Sequence, residues 1–281
     1  MYKGLSPYAI GVRPSNLDSA IQAAVTGGFE GVEINAAEVA GLIESLGIDA
    51  VLEKFSSASI VPAAFGIPEW RTDIGTWKEG VEKLPALAKA AAAIGVKRTT
   101  TWIMPCSNEL NFDQNRKFHI ERFKPIAEIL GEHGISIGLE FIGPKTLRDS
   151  MRFPFIYTMQ AMLDMGDAIG GNVGILLDCW HWHTSCGTLG ELRVIKQERV
   201  IYVHVNDAPV GVSIDDNVDH VRGLPGATGV IDIKGFLQAL DSIGYDGPVT
   251  PEPFEDLSSL PSDEARLKLV GDAMNKIFSL R

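Results

Sequence analysis

The sequence predicts an α/β chain folded as a closed (β/α)8 barrel, a single domain over residues 1–281. Three observations carry this. Eight short apolar or β-branched runs recur along the chain, stretches with helical periodicity separate them, and several of those stretches end in glycine just before the next run, as in GGFEGVEI, EHGISIGL and IGYDGPVT. Glycine there supplies the left-handed cap that stops a helix. Strands alternating with helices imply parallel pairing, because each return to the same end of a sheet needs a crossover. Eight such units in a chain of this length favour a barrel over its rival, a doubly wound open sheet.

The expected strands, in order, are AIGV from Ala9, GVEIN from Gly31, IVPAAFGIP from Ile60, RTTTWIMP from Arg98, ISIGLEFIGP from Ile135, VGILLDCW from Val173, VIYVHVND from Val200 and GPVTPEPF from Gly247. The intervening helices are expected over Asn16 to Thr26, Ala37 to Phe55, Thr76 to Ile94, Gln114 to Glu132, Ile156 to Ile169, Leu189 to Gln197, Ile233 to Ile243 and Asp263 to Leu280. Each combines good helix formers with an apolar stripe. No linker or composition shift divides the chain.

A hydrophobic content of 45% is ample for one large core. No apolar stretch approaches the length of a bilayer span, so no membrane partner is expected. The opening MYKGLSPYAIGV lacks the features of a signal peptide, and three cysteines are too few for a disulfide framework, so a cytoplasmic location is the expectation. The formal charge of −11 disfavours a nucleic-acid partner, and the basic residues from Arg116 to Arg122 are interleaved with His119 and Glu121. Neither GxGxxG nor a phosphate loop is found, which argues against an NAD or ATP enzyme.

Barrel active sites form where strands end at their C-terminal face. The polar residues that close the last four apolar runs are Glu140 after ISIGL, Asp178 after VGILL, His204 after VIYV and Glu252 after PVTP. Taken singly, each has an ordinary reading as a strand-closing, turn or core residue. Taken together, three carboxylates at buried strand ends would repel strongly without a cation between them. One divalent ion removes the conflict; the oxygen-rich set suits Mn, Mg or Co and also admits Zn. The stretch GILLDCWHWHTSCG offers a rival, a local knuckle of Cys179, His181, His183 and Cys186. A knuckle needs paired hooks separated by a loop, and this cluster follows a buried strand, so Asp178 is the better ligand and the cysteines read as packing residues.

On these residues the chain resembles the xylose-isomerase-like barrel superfamily, which includes ketose 3-epimerases, hydroxypyruvate isomerase, inosose dehydratase and endonuclease IV. The resemblance rests on GFEGVEI, GLEFIGP, LDCWH, VHVNDAP and the segment from RGLPGATGVID through GYDGPVTPEPF. It implies Glu140, Asp178, His204 and Glu252 as metal ligands, Glu140 and Glu252 also as the acid/base pair, and His181 and Arg222 as substrate contacts. It also implies a homo-oligomer. Two departures narrow it: FIGPKTLRDS replaces the Asn-Arg loop usual after the fifth strand of the epimerases, and six histidines, none before His119, are too few for a three-zinc nuclease.

The chemistry expected is removal of a proton beside a carbonyl of a small carbohydrate, giving an enediolate. Reprotonation on the opposite face epimerises, reprotonation at the neighbouring carbon isomerises aldose and ketose, and loss of a β-hydroxyl dehydrates. A lyase acting on a larger glycoside and a non-catalytic sugar-binding barrel are the alternatives. Trp102, Trp180 and Trp182 are placed to offer apolar faces to a sugar, and Glu33 to bond a substrate hydroxyl. Asn206 and Asp207 are expected to orient ligands, His183 and His220 to stand near the pocket, and Lys145 and Arg148 to meet a phosphate if the substrate carries one.

Overall fold

The computed structural model describes residues 1–254 and 257–281. Eight parallel strands close into a barrel: β1 Tyr2–Leu5, β2 Gly31–Ile34, β3 Val61–Gly66, β4 Arg98–Ile103, β5 Ser136–Phe141, β6 Val173–Asp178, β7 Val200–Val205 and β8 Pro248–Pro251. Each strand pairs with its sequence neighbours, and β1 closes the ring against β8 through Tyr2↔Pro248 and Lys3↔Val249. The helices packed outside are α1 Leu17–Gly27, α2 Ala36–Leu46, α3 Ile48–Ala58, α4 Ile74–Ala93, α5 Phe112–Glu132, α6 Met159–Ile169, α7 Cys179–Thr184, α8 Leu189–Val194, α9 Ile233–Ser242 and α10 Asp263–Phe278.

The main core lies between strands and helices, and a small inner cluster of Ala64, Leu176 and Tyr202 fills the barrel itself. Side chains alternate along a strand, so the residue two beyond an inner one faces the mouth. Asp178 follows Leu176, His204 follows Tyr202, and Glu252 follows the inner Thr250. The register agrees, pairing Trp102 with Glu140 and Asp178 with His204.

Two expectations need correction. The first strand is Tyr2–Leu5, and Ala9 lies in a 3-10 turn over Pro7–Ile10. YKGL hides its strand character because Gly4 faces the crowded inside: a Cβ there would stand 2.7 Å from Thr250 Oγ1 and 2.9 Å from Pro248 Cβ. The helix expected from Ala37 to Phe55 is two helices, broken at Gly47, whose φ of 84° lies in the region that favours glycine. The segment after Asp178 is also helical, capped by the Asp178 carboxylate, which accepts the Trp180 N–H at 2.7 Å. No described helix is long and apolar enough to cross a membrane.

Candidate active site

Four consecutive strands deliver Glu140, Asp178, His204 and Glu252 to one point, where one ligand atom from each lies within 4.8 Å of the others. Glu140, Asp178 and His204 are buried, and Glu252 is half-buried. His204 Nδ1 stands 3.3 Å from Glu252 Oε2 and 3.5 Å from Glu140 Oε1. Both His204 Nδ1 and Glu140 Oε1 are buried without a hydrogen-bond partner. Two such atoms turned toward the same spot are costly unless something fills it. Three carboxylates and one imidazole converging there form a donor set that fits a divalent cation.

The electrostatics divide the carboxyl groups. Burial raises Glu140 to about 8, assisted by the neighbouring Glu252 and Asp178 charges. Burial acts the same way on Glu252, but His204 and Arg222 outweigh it and hold this carboxyl well below the ordinary range. For His204 burial favours the neutral ring, and the flanking Glu252 and Glu140 reverse this and push its pKa well up.

Arg222 completes the charge balance. Its Nη1 donates to Asp178 Oδ2 at 2.7 Å and to Glu252 Oε2 at 2.8 Å, while Nη2 and Nε donate to the side chain and backbone of Asp219 at 2.9 and 2.8 Å. Phe254 lies against the guanidinium, 4.4 Å from Cζ to ring centroid. Asp178 is further fixed by Asn206, whose Nδ2 donates to Oδ1 at 3.0 Å. Asp207 is not a ligand-orienting residue: its carboxylate accepts the backbone N–H groups of Ala208, Thr228, Gly229 and Ile231 and so shapes the loop that carries Arg222.

The expected substrate contacts separate into two sets. Trp102, Glu140, Arg222 and Glu252 line a cavity of about 290 Å³ together with Met104, Ile142, Leu147, Asp219 and Phe254. His181 and Trp180 are fully buried and do not line it. Gly143 N–H donates to His181 Nδ1 at 3.1 Å, while Nε2 stands 3.2 Å from Arg222 Nη2 and 3.9 Å from Glu140 Oε1. Burial, reinforced by the Arg222 charge, holds His181 neutral. Trp180 lies beneath the guanidinium of Arg222 at 5.6 Å, and Trp182 packs on Phe236. Neither indole is placed to meet a sugar. Lys145 pairs with Asp215 and Arg148 stacks on Tyr157, so no phosphate cradle forms from them. The sulfur of Cys179 is buried against Asn206 and Cys186 is exposed, which rules out a local knuckle.

Glu33 is half-buried at the end of β2 and lines a second cavity of about 480 Å³, bounded by Tyr8, Ser15, Asn16, Asn35 and Gly66 among others. Tyr202 Oη donates to Glu33 Oε1 at 2.9 Å and accepts from Thr250 Oγ1 at 2.8 Å. Sequence reasoning missed Asp219, Tyr202, Gly143 and Phe254. Tyr202 was within reach, since it precedes His204 by two residues on a strand and therefore shares its face.

Residues 21–276 match the sequence model of the family described as xylose isomerase-like TIM barrel. An inosose isomerase of Bacillus velezensis is 22% identical over 85% of this chain and 84% of its own length. A 3-dehydroshikimate dehydratase of Pseudomonas putida is 24% identical over 56% of this chain but only 24% of its own. Among solved structures, a xylose isomerase domain protein from Alicyclobacillus acidocaldarius superposes with a TM-score of 0.85 at 28% identity, covering 100% of this chain and 99% of that one. The IolI protein with a bound zinc atom superposes with a TM-score of 0.77 at 20% identity, over 99% of this chain and 98% of that one.

Proposed function

Because the chain belongs to the xylose isomerase-like TIM barrel family, we propose that it is a divalent-metal-dependent sugar isomerase or epimerase that removes the proton beside a carbonyl. The observation that carries this reading is the convergence of Glu140, Asp178, His204 and Glu252 at the mouth of the barrel. A divalent ion held by these four would polarise a substrate carbonyl and make the adjacent C–H acidic.

The chain's own groups supply the rest. Glu140 and Glu252 both line the catalytic cavity, one at the end of β5 and the other just past β8, and we assign them as the acid/base pair. One takes the proton to give an enediolate and the other returns a proton to the opposite face or to the neighbouring carbon. Binding alone does not need a second carboxyl, which speaks for catalysis over a passive sugar-binding barrel. Arg222 positions Asp178 and Glu252 and presents its charge to substrate oxygen, while Trp102, 39% exposed, gives the sugar an apolar face. The inosose isomerase relative supports an isomerase acting on a small polyhydroxylated ketone; the dehydratase relative supports elimination from the same enediolate as the second reading.

The test is proton NMR in D2O with a panel of ketoses and inososes, using EDTA-stripped protein and protein reloaded with Mn, Mg, Co or Zn. Metal-dependent loss of one C–H signal is expected, and the new signals identify the product. Glu140→Gln and Glu252→Gln should each lower exchange by about 10²–10⁴-fold. No exchange with any sugar and metal would remove the proposal.

A further inference from the structure

Membership of the family leaves open whether the substrate carries a charge, and the cavity over Glu140 and Glu252 bears on it. Apart from those two and Arg222, the 290 Å³ space is walled by Trp102, Met104, Ile142, Leu147 and Phe254, with Asp219 as the remaining polar group.

We propose that the substrate is an uncharged sugar and that Asp219 enforces this. Away from the carbonyl end that meets the metal, its carboxylate accepts a substrate hydroxyl and turns away a carboxylate or phosphate in the same place. This rests on the reading of that cavity as the substrate site and deepens it to the charge of the substrate.

Three observations support the assignment. First, Arg222, the one cation that lines the cavity among the described residues, is engaged by the protein. Its Nη1 serves Asp178 and Glu252, its Nε the Asp219 carbonyl and its Nη2 the Asp219 carboxylate, and Nη2 also stands 3.2 Å from the buried His181 Nε2. An anionic substituent has to break one of these contacts to reach the guanidinium. Arg71 stacks on Trp102 and bonds Glu69, Lys145 pairs with Asp215 and Arg148 lies on Tyr157, and none of the three lines the cavity.

Second, Arg222 occupies only Oδ1 of Asp219. The other oxygen, Oδ2, accepts from no described residue, and the side chain is 27% exposed. A carboxylate only accepts, so a ligand that satisfies Oδ2 must bring an O–H or N–H. A sugar hydroxyl does so; an ionised carboxylate or a fully ionised phosphate does not.

Third, Glu140, Asp178, Glu252 and Asp219 outnumber the positive charge that Arg222 and one dication supply, with His204 neutral as a ligand must be. The loaded site therefore stays negative, and like charges set against each other are a direct means of rejecting a wrong partner.

The test uses the full chain loaded with Mn and ketoses that differ only at carbon 6. D-fructose and D-tagatose are set against D-fructuronate and D-tagaturonate, and against the two 6-phosphates. Isothermal titration reads affinity, and proton NMR in D2O reads C–H exchange. The neutral sugars are expected to bind about 10²-fold more tightly than the anions. Asp219→Asn keeps an oxygen for Arg222 and should cut this preference about tenfold by strengthening the anions. Met104→Lys sets a cation in the cavity wall and should do the same without touching Asp219. A poorly folded variant weakens every ligand and cannot strengthen an anion. Anions bound as tightly as the neutral sugars, no ketose bound at all, or a preference unchanged in Asp219→Asn would each overturn the proposal. C–H exchange of the anions at the neutral sugars' rate also overturns it while leaving the proton-abstraction reading standing. The expected preference in binding with no exchange in any sugar removes that reading alone.

Discussion

Replacing Arg222 by Met removes the cation that joins two of the candidate metal ligands. Arg222 is 3% exposed, and its Nη1 is shared between Asp178 at 2.7 Å and Glu252 at 2.8 Å. Met restores much of the stem packing but leaves a fully buried Asp178 without its countercharge, and breaking a buried pair in this way costs about 3–5 kcal/mol. At roughly 2 °C per kcal/mol for a chain of this size, the EDTA-stripped variant should melt about 6–10 °C below the wild type. A dication added in excess should recover part of the loss, about 2.7 kcal/mol at a hundred times its Kd. Urea unfolding with EDTA and with Mn measures both effects. A loss under about 1 kcal/mol in EDTA would refute the reasoning, because Asp178 would then have a countercharge other than Arg222.

Three further outcomes are expected. His119 is buried among Trp70, Phe123 and Phe155, its Nδ1 bonded to the Asn115 carbonyl, and burial lowers its pKa to about 4. The unfolded chain takes up this proton near 6.5 and the folded one does not. Stability is therefore intact above 6.5 and falls as the pH drops toward 4, by about 2 kcal/mol at pH 5. His119→Phe should lack that component in urea titrations at pH 8 and 5, and an unchanged pH slope would count against it. Gly143→Ala would drive a Cβ into the His181 carbonyl oxygen and Thr184 Oγ1, so a loss of about 1–3 kcal/mol is expected by calorimetry, and a neutral result would show that the loop yields. Mn must displace the proton that Glu140 holds below about pH 8 and also the one that His204 carries beside its two carboxylates. Apparent affinity by isothermal titration should therefore rise between about tenfold and a hundredfold per unit from pH 6 to 8, and a flat profile would mean that neither ligand loses a proton on binding.

The barrel was legible because its later strands are long, buried runs that close on a polar residue. ISIGLE, VGILLD and VIYVH declare both the strand and the one side chain that leaves the apolar pattern, and the four ligand candidates converge as that pattern requires. β1 was not legible, since four residues containing Lys3 and Gly4 show neither run nor alternation, and its glycine answers to a contact with β8 from the far end of the chain. The break at Gly47 lies inside a continuous helical pattern. Trp180 was misread for a related reason: a strand end gives the position of an indole but not the side of the backbone it takes, and the turn of helix after Asp178 carries it inward. The bridge from Arg222 to Asp178 and Glu252 joins loops far apart in sequence, and no local signal announces it.

Strands β5–β8 end at the four candidate metal ligands and β1–β4 end at Ser6, Glu33, Gly66 and Trp102, and this division of the mouth bears on how such a protein can be altered. Charge is concentrated on one side, where any exchange disturbs every partner in the cluster. On the other side stand a serine, a glycine, an indole and one carboxyl whose partners are neutral. Gly66, with open space where a side chain would begin, accepts new shapes without unbalancing any charge, whereas Trp102 holds the Arg71 guanidinium 4.1 Å above its ring and would release it. A library opened at Gly66 should exchange one substrate for another while the proton-transfer apparatus stays as it is, which makes that position the natural starting place for retargeting.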